Sequence, residues 1–411
     1  MLTLVAETTP SVPVAGKGTL YLDSADSRIK MLMADGTTAV LYDLGVSSRN
    51  KIINGGFNVN RRLLAALTTI PAGAPGLVVL RRAYTADRWG ATTGNVTSLQ
   101  YAQIDAIAGE AGLAARYYGL YKQITNPAKI ALTQVLEGSE ITSLRGRAVR
   151  MQCKAKYTVL GAGPQYLKMA LIQLTAAGTV DVVPGLVTVN DFFGSMSVAG
   201  TDPTLVATLA YINPTTAYNG SITGGSYKGA ALTNAWQTFG ATFTVPTDCK
   251  NLAVMIFTDQ LLTANDTICV SEVGIYDGME LRDWQRQNGD EEEEYCSRFF
   301  AKTFQAATPP AQSAGLLGSL RFPCTTAAAV ATSIVGMWQF KYGLRTAPAA
   351  VIFYNPSAGN AFARNVTGGT DATATAAANL SQNGCHVNCT GIAAWGVGND
   401  ICVHASADVE I

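Results

Sequence analysis

At 411 residues the chain is long enough for two or three domains, each able to bury an apolar core without disulfide or metal staples. Its 29 Lys and Arg balance 29 Asp and Glu, which excludes a global field drawing it to nucleic acid or an anionic membrane. Only 14% of residues are charged, 48% are apolar and 40 are glycine, a composition for short strands joined by tight turns and for a surface buried between subunits.

Residues 1–14 carry no basic region and only a short apolar stretch before Glu7, so they do not read as a secretory signal. No apolar run approaches membrane-spanning length, and no membrane insertion is expected. The first strands are predicted at Gly18–Asp23, Arg28–Met33 and Thr37–Tyr42, with turn text at 23–27 and 34–36. They form a small meander that buries too little to be stable alone. Its lead-in, Val12–Gly16, reads as an extended docking peptide.

From Asn50 the text alternates with period two over Val149–Tyr157 and Trp236–Val245, the pattern of half-buried antiparallel strands. Leu252–Phe257 and Ile268–Tyr276 extend the set, so residues 49–288 are expected to form a jelly-roll β-sandwich. The Gly, Ser, Thr and Asn-rich stretch from Val182 to Gly229 reads as a functional or intersubunit loop. The best helix candidate, Ala102–Tyr121, is interrupted by Gly109, Gly112 and Gly119. Leu281–Gly289 with the acidic run Asp290–Glu294 reads as a short solvated hinge, since the run lacks the spaced oxygen ligands of a calcium loop. Residues 289–411 supply further strands at Gly318–Pro323, Ala349–Tyr354, Gly384–Cys389 and Ile401–Ile411. The predicted fold is all-β: a meander over 1–48 followed by β-sandwich domains over 49–288 and 289–411.

The eight cysteines are scattered through strand text and are expected to be buried free thiols of a protein made in a reducing cytoplasm. In the cluster Cys385-His386-Val387-Asn388-Cys389, alternation turns both thiols and Val387 to one face and His386 to the other, which favours packing over metal binding. His386 and His404 are the only histidines, and neither sits in a Gly-x-Ser-x-Gly or comparable nucleophile context. Asp87, Asp191, Asp202, Glu272 and Asp277 are available carboxylates, but none forms the pair that glycoside hydrolysis needs. No enzyme activity, metal or cofactor is expected. Trp89, Trp236 and Trp338 read as core. Trp395 lies among loop glycines, where it either packs or protrudes, with Asn399 nearby, to stack on a sugar ring.

Several of these segments resemble parts of one family. Gly16–Lys30 resembles the virion-attachment modules of phage tail fibres and head fibres, and Asn50–Phe57 followed by Tyr84–Trp89 resembles the opening of jelly-roll domains in phage fibre and tail proteins. Glu137–Arg147, Trp236–Pro246 and Val273–Tyr276 resemble that domain's later strands in order. Glu292–Phe300 resembles its Glu-Glu-x-x-Cys-x-Arg-aromatic-aromatic junction, and Ala405–Ile411 its terminal strand. The resemblance implies a homotrimeric structural virion protein of tail-fibre type, assembled in a bacterial cytoplasm. It would dock on other virion proteins, of tail or capsid, through an N-terminal segment in which Tyr21, Arg28 and Lys30 are the candidate contacts. Its outer domains would touch host-surface polysaccharide. A capsid decoration or head-fibre protein without receptor binding is the second reading, and a polysaccharide depolymerase the third.

Overall fold

The computed structural model describes residues 6–24, 28–36, 38–43, 49–62, 68–70, 81–93, 99–106, 110–124, 127–161, 163–174, 193–196, 198–205, 209–279, 281–284, 288–305, 308–324, 333–390 and 395–409. Strands dominate them, and no helix among them is long and apolar enough to cross a membrane. Near the N-terminus, Gly18–Asp23, Arg28–Met33 and Thr38–Asp43 pair antiparallel in chain order, and Ala6–Glu7 adds in parallel to the first. Tyr21 and Leu32 are buried on one face of this sheet, while Leu20 and Met33 are exposed on the other.

Two larger sheets form a β-sandwich. One runs in the order Gly220–Thr223, Ser226–Ala231, Tyr166–Leu174, Asn251–Thr258, Ile130–Leu136, Gly90–Thr93, Arg81–Tyr84, with Leu209–Ile212 also on Tyr166–Leu174. The other runs Pro214–Tyr218, Gln237–Thr244, Ala148–Val159, Thr267–Asp277, Tyr117–Gln123, Leu99–Asp105, Thr68–Ile70. Alternation puts Met169, Leu171 and Val254 of the first sheet against Met151, Phe239 and Ile275 of the second, all buried.

The Asn50–Phe57 and Thr85–Trp89 segments interlock at one end of this core. Trp89 stacks on Phe57 with ring centroids 5.5 Å apart, and its Nε1 donates to the Asn54 carbonyl at 2.9 Å. Asn54 holds a left-handed backbone (φ 56°), and its Nδ2 donates to the carbonyls of Val59 and Asp87 at 2.7 and 2.9 Å. A Cβ on Gly55 would lie 2.0 Å from the Val273 carbonyl oxygen, so only glycine lets this turn close on the neighbouring strand. The buried Asp87 is ion-paired with Arg62 at 3.0 Å.

Some expectations are corrected. The described part of the Val182–Gly229 stretch is not a loop: four strands between Leu209 and Ala231 extend the two sheets and bury Leu209, Ile212 and Tyr227, and Thr204–Leu205 pairs separately with Phe193–Ser195. Its residues 182–192 lie outside the described set. Alternating Thr and Gly text serves edge strands as well as loops. Ala102–Tyr121 contributes parts of two strands, in keeping with its interrupting glycines. Glu137–Arg147, expected as a strand, opens with a helical turn, Gly138–Ile141, closed by a capping box between Glu137 and Glu140. The acidic hinge is instead a helix, Gly289–Ser297, because Asn288 caps it and the acids of its first turn suit the positive end of the helix. Glu292 is 1% exposed and accepts from Asn58 Nδ2 at 2.9 Å, so the run is only partly solvated.

That helix leads into a second sandwich. Its central strand, Asp400–Asp408, carries Phe300–Lys302, Leu320–Pro323, Val351–Tyr354 and Arg364–Asn365, with Thr370–Asp371 beyond. The facing sheet is Ser333–Gln339, Gly384–Thr390, Ala374–Ala378. Cys385, Val387 and Cys389 point inward and His386 is half-buried, as their alternation predicts. All eight cysteines are buried and free, and burial pushes the Cys385 and Cys389 thiols up to about 11 and about 12. Trp338 is core. The junction residues lock the sandwiches together: Cys296 and Phe299 pack on Ile53, the Arg88 guanidinium lies 3.5 Å from the Phe299 ring, and Arg345 pairs with Glu137 at 2.5 Å.

Candidate functional site

The outer face of the seven-stranded sheet holds the most site-like arrangement. Period two sends Met151, Cys153 and Ala155 into the core and Arg150, Gln152, Lys154 and Lys156 to the outer face. Thr238 sits opposite Lys154 on one neighbouring strand, and Ser271 opposite it on the other. A register shift between Gln152 and Lys154 accompanies Glu272, whose left-handed backbone (φ 51°) turns its carboxylate onto the outer face beside Lys154 at 3.0 Å.

Two segments wall this face. On one side Gln152 clasps the backbone of Arg282, its Nε2 donating to the carbonyl at 2.6 Å and its Oε1 accepting the N–H at 3.0 Å. On the other, Glu272 accepts from the N–H groups of Ala114 and Ala115, and Lys154 Nζ donates to the Gly112 carbonyl at 2.5 Å. Between the walls lies a cleft of about 430 Å³ lined by Gln152, Lys154, Tyr218, Thr238, Glu272 and Trp284, with Asp283 at its edge. Its charged floor is neutralised internally by the Lys154–Glu272 pair. Tyr218 is 46% exposed, and neither its hydroxyl nor that of Thr238 is engaged by a described residue. The Asp283 carboxylate is exposed as well. The cleft therefore offers an aromatic ring, free hydroxyls and a carboxylate acceptor over a floor without net charge, groups that suit a neutral polyhydroxyl ligand.

Farther along the same face, Trp236 is half-buried and not core as expected. Its Nε1 donates to Glu110 at 3.0 Å, Tyr118 meets it edge-on at 5.2 Å, and Lys156 pairs with Glu110 at 2.6 Å. Burial raises the Glu110 carboxyl, but Lys156 and Trp236 outweigh it and hold the group below the usual carboxylate range.

The other predicted residues are not brought together. Of the two alternatives for Trp395, packing is the one observed: the ring is 1% exposed and its Nε1 donates inward to Thr370 Oγ1 at 2.9 Å, so it is not the protruding glycan contact. Asn399 closes the adjacent turn, its Oδ1 accepting from Asn365 Nδ2 and from Gly396 N, both at 2.8 Å. Tyr21 is buried, and Lys30 is spent on Asp23 at 2.8 Å; the Arg28 side chain lies outside those described. Asp87, Asp202, Glu272 and Asp277 are each paired with a cation, Arg62, Lys168, Lys154 and Arg147 respectively, and Asp191 lies outside the described residues. Among the described residues no three His, Cys, Asp or Glu side chains gather as a metal site. Sequence reasoning missed Tyr218, Thr238 and Trp284, and the one available signal was an aromatic residue inside Thr and Gly-rich text.

No family model matches the chain, and neither does any curated protein. Among solved structures, the enzymatically active domain of tailspike protein 4 of bacteriophage CBA120 is similar over 56% of this chain and 21% of its own, at 11% identity and a TM-score of 0.29. TmCBM61, solved with β-1,4-galactotriose, is similar over 57% of this chain and 100% of its own, at 10% identity and a TM-score of 0.27. The CBM22-1 xylan-binding domain of Paenibacillus barcinonensis is similar over 52% and 99%, at 12% identity and a TM-score of 0.26.

Proposed function

We propose that the chain is a structural, fibre-type protein of a bacteriophage particle that binds host-surface polysaccharide through the cleft on its seven-stranded sheet without cleaving it. The cleft carries the reading: Tyr218 with a free hydroxyl, Thr238 and Asp283 stand over a floor whose charges cancel, a set of groups suited to a neutral sugar. The virion role rests on the order of motifs from Gly16 to Ile411 that resemble phage fibre proteins. In that role the N-terminal sheet docks on the particle, and its exposed Leu20 and Met33 supply the apolar contact, since Tyr21 and Lys30 are occupied within the segment. That the polysaccharide is bound and not cleaved rests on the sequence, in which no two carboxylates form a recognisable hydrolytic pair.

Stacking of one sugar on a half-exposed ring is worth about 1 kcal/mol, so Tyr218→Ala is expected to weaken binding to host polysaccharide roughly fivefold. Affinity electrophoresis on host capsular or lipopolysaccharide checks it, with thermal melts matched beforehand. Binding unchanged in Tyr218→Ala removes the cleft, and release of reducing ends by the wild type replaces the binding reading with the depolymerase one. The particle role also implies three copies per fibre, whose contacts add as avidity. Light scattering should then give three times 43.1 kDa, and a stable monomer at micromolar concentration refutes the trimer.

A further inference from the structure

A second cleft, of about 560 Å³, shares no lining residue with the first. It opens where the chain enters the larger sandwich, between Arg49–Ile53, the turn carrying Ser139 to Ser143, and Tyr295 of the junction helix. Backbone bonds fix these walls. Lys51 N donates to the Ile275 carbonyl at 3.0 Å, Gln134 clasps the Ile53 backbone at 2.9 and 2.8 Å, and Glu140 is tied by its carboxylate to the Glu137 N–H at 2.8 Å.

The cations in this cleft are unevenly balanced. Arg49 pairs with Glu291 at 2.5 Å and lies 5.6 Å from the Tyr295 ring. Lys51, half-buried, forms no ion pair with a described residue. Burial and then the Arg49 charge push its ammonium below the ordinary lysine range, and Asp277 and Glu140, acting in the opposite sense, do not outweigh them. Glu140 lines the same cleft with its carboxylate held by the Glu137 N–H and makes no ion pair with Lys51, so a bound carboxylate in contact with the ammonium would offset more of its desolvation cost. Ser139 and Ser143 are exposed, and their hydroxyls engage no described partner. The Tyr295 phenol is likewise free at the rim.

We infer that this cleft is a binding site for a carboxylate-bearing sugar of the hexuronic acid class, with Lys51 taking the carboxylate and Ser139, Ser143 and Tyr295 the ring hydroxyls. A volume of about 560 Å³ exceeds what one hexuronate fills, so the site admits a uronate inside an oligosaccharide. The site is independent of the sheet-face cleft, and either stands if the other fails.

The test is calorimetric titration of the full chain with glucuronate and galacturonate, with glucose, acetate and inorganic phosphate as separate arms. At least one uronate should bind more tightly than glucose, and Lys51→Gln should weaken uronate binding roughly tenfold, the loss of one charge-assisted hydrogen bond, without changing that of glucose. Lys51→Arg, which keeps the charge, should restore most of it, and Tyr218→Ala should leave it unchanged. Equal binding of glucose and uronate, or Lys51→Gln indistinguishable from wild type at equal thermal stability, overturns the proposal. Acetate or phosphate binding as well as uronate overturns it too, since the site would then recognise an anion and no sugar.

Discussion

Arg345→Ala is expected to lower the free energy of unfolding by about 3–5 kcal/mol, the cost of breaking a buried ion pair from one side. The pair joins the two sandwiches: Arg345 Nη1 donates to Glu137 Oε1 at 2.5 Å, and the two side chains are only 6% and 4% exposed. Arg345 also donates its backbone N–H to the Arg298 carbonyl at 2.7 Å, and its guanidinium lies 5.9 Å from the Phe299 ring, which Arg88 approaches at 3.5 Å. Removing the guanidinium leaves the Glu137 carboxylate buried without an ion-pair partner, with only the backbone N–H of its capping box and the more weakly acting Arg88 charge to compensate it. Burial already pushes this carboxyl above its ordinary value, with Arg345 pulling it back, so the substitution raises it further. A group whose folded pKa lies above its unfolded one favours folding below the unfolded value, and loses that contribution as pH rises through the folded value. The deficit of Arg345→Ala should therefore be larger at pH 8 than at pH 5, by urea unfolding at both. Replacing both partners with methionine should recover most of the loss, because the unpaired charge is then gone. A single-substitution loss below about 1 kcal/mol, or additive single effects in the double-substitution cycle, contradicts a buried link between the sandwiches.

Trp395→Ala is the second large effect, expected at about 3–5 kcal/mol of stability with little change in glycan binding. The indole fills the core of the second sandwich with Phe322, Trp338 and Val403, and its one polar atom is satisfied by Thr370 Oγ1 at 2.9 Å. Trp395→Phe keeps most of the packing but loses the part-buried bond to the half-exposed Thr370 hydroxyl, so its cost should fall near 1 kcal/mol, on the order of one hydrogen bond. Thermal and urea unfolding give both values. Polysaccharide binding measured where each variant remains folded should match wild type. Wild-type stability in Trp395→Ala contradicts the packed ring, and lost binding at full folding returns the glycan site to the second sandwich.

The contrast between Trp395 and Cys385 shows what local text carries. In Gly384–Thr390 the face of every side chain follows from period two, and the sequence alone turns Cys385, Val387 and Cys389 inward. The same local rule found Val149–Tyr157, Leu252–Phe257 and Ile268–Tyr276, and with them the all-β class. Trp395 lies outside any strand, so its direction depends on a hydroxyl 25 positions away in sequence, and flanking glycines speak for protrusion and packing alike. The helix at Gly289–Ser297 was hidden because a run of acids reads as solvated until Asn58 and Arg49, more than 230 positions earlier, are brought beside Glu292 and Glu291. Both clefts were illegible for a related reason. Alternation assigns Gln152 and Lys154 to the outer face of a strand, but which segments wall that face depends on Arg282, Ala114 and Glu272 meeting them across the fold. The sequence by itself determined the positions and facing of the strongly alternating strands and the burial of the thiols, because these follow from neighbours one to four residues apart, whereas the Thr and Gly-rich edge strands at 209–231 did not show in it. Which polar groups are left unpaired, and so free for a ligand, was decided only by tertiary structure, because pairing is settled by contacts between distant segments.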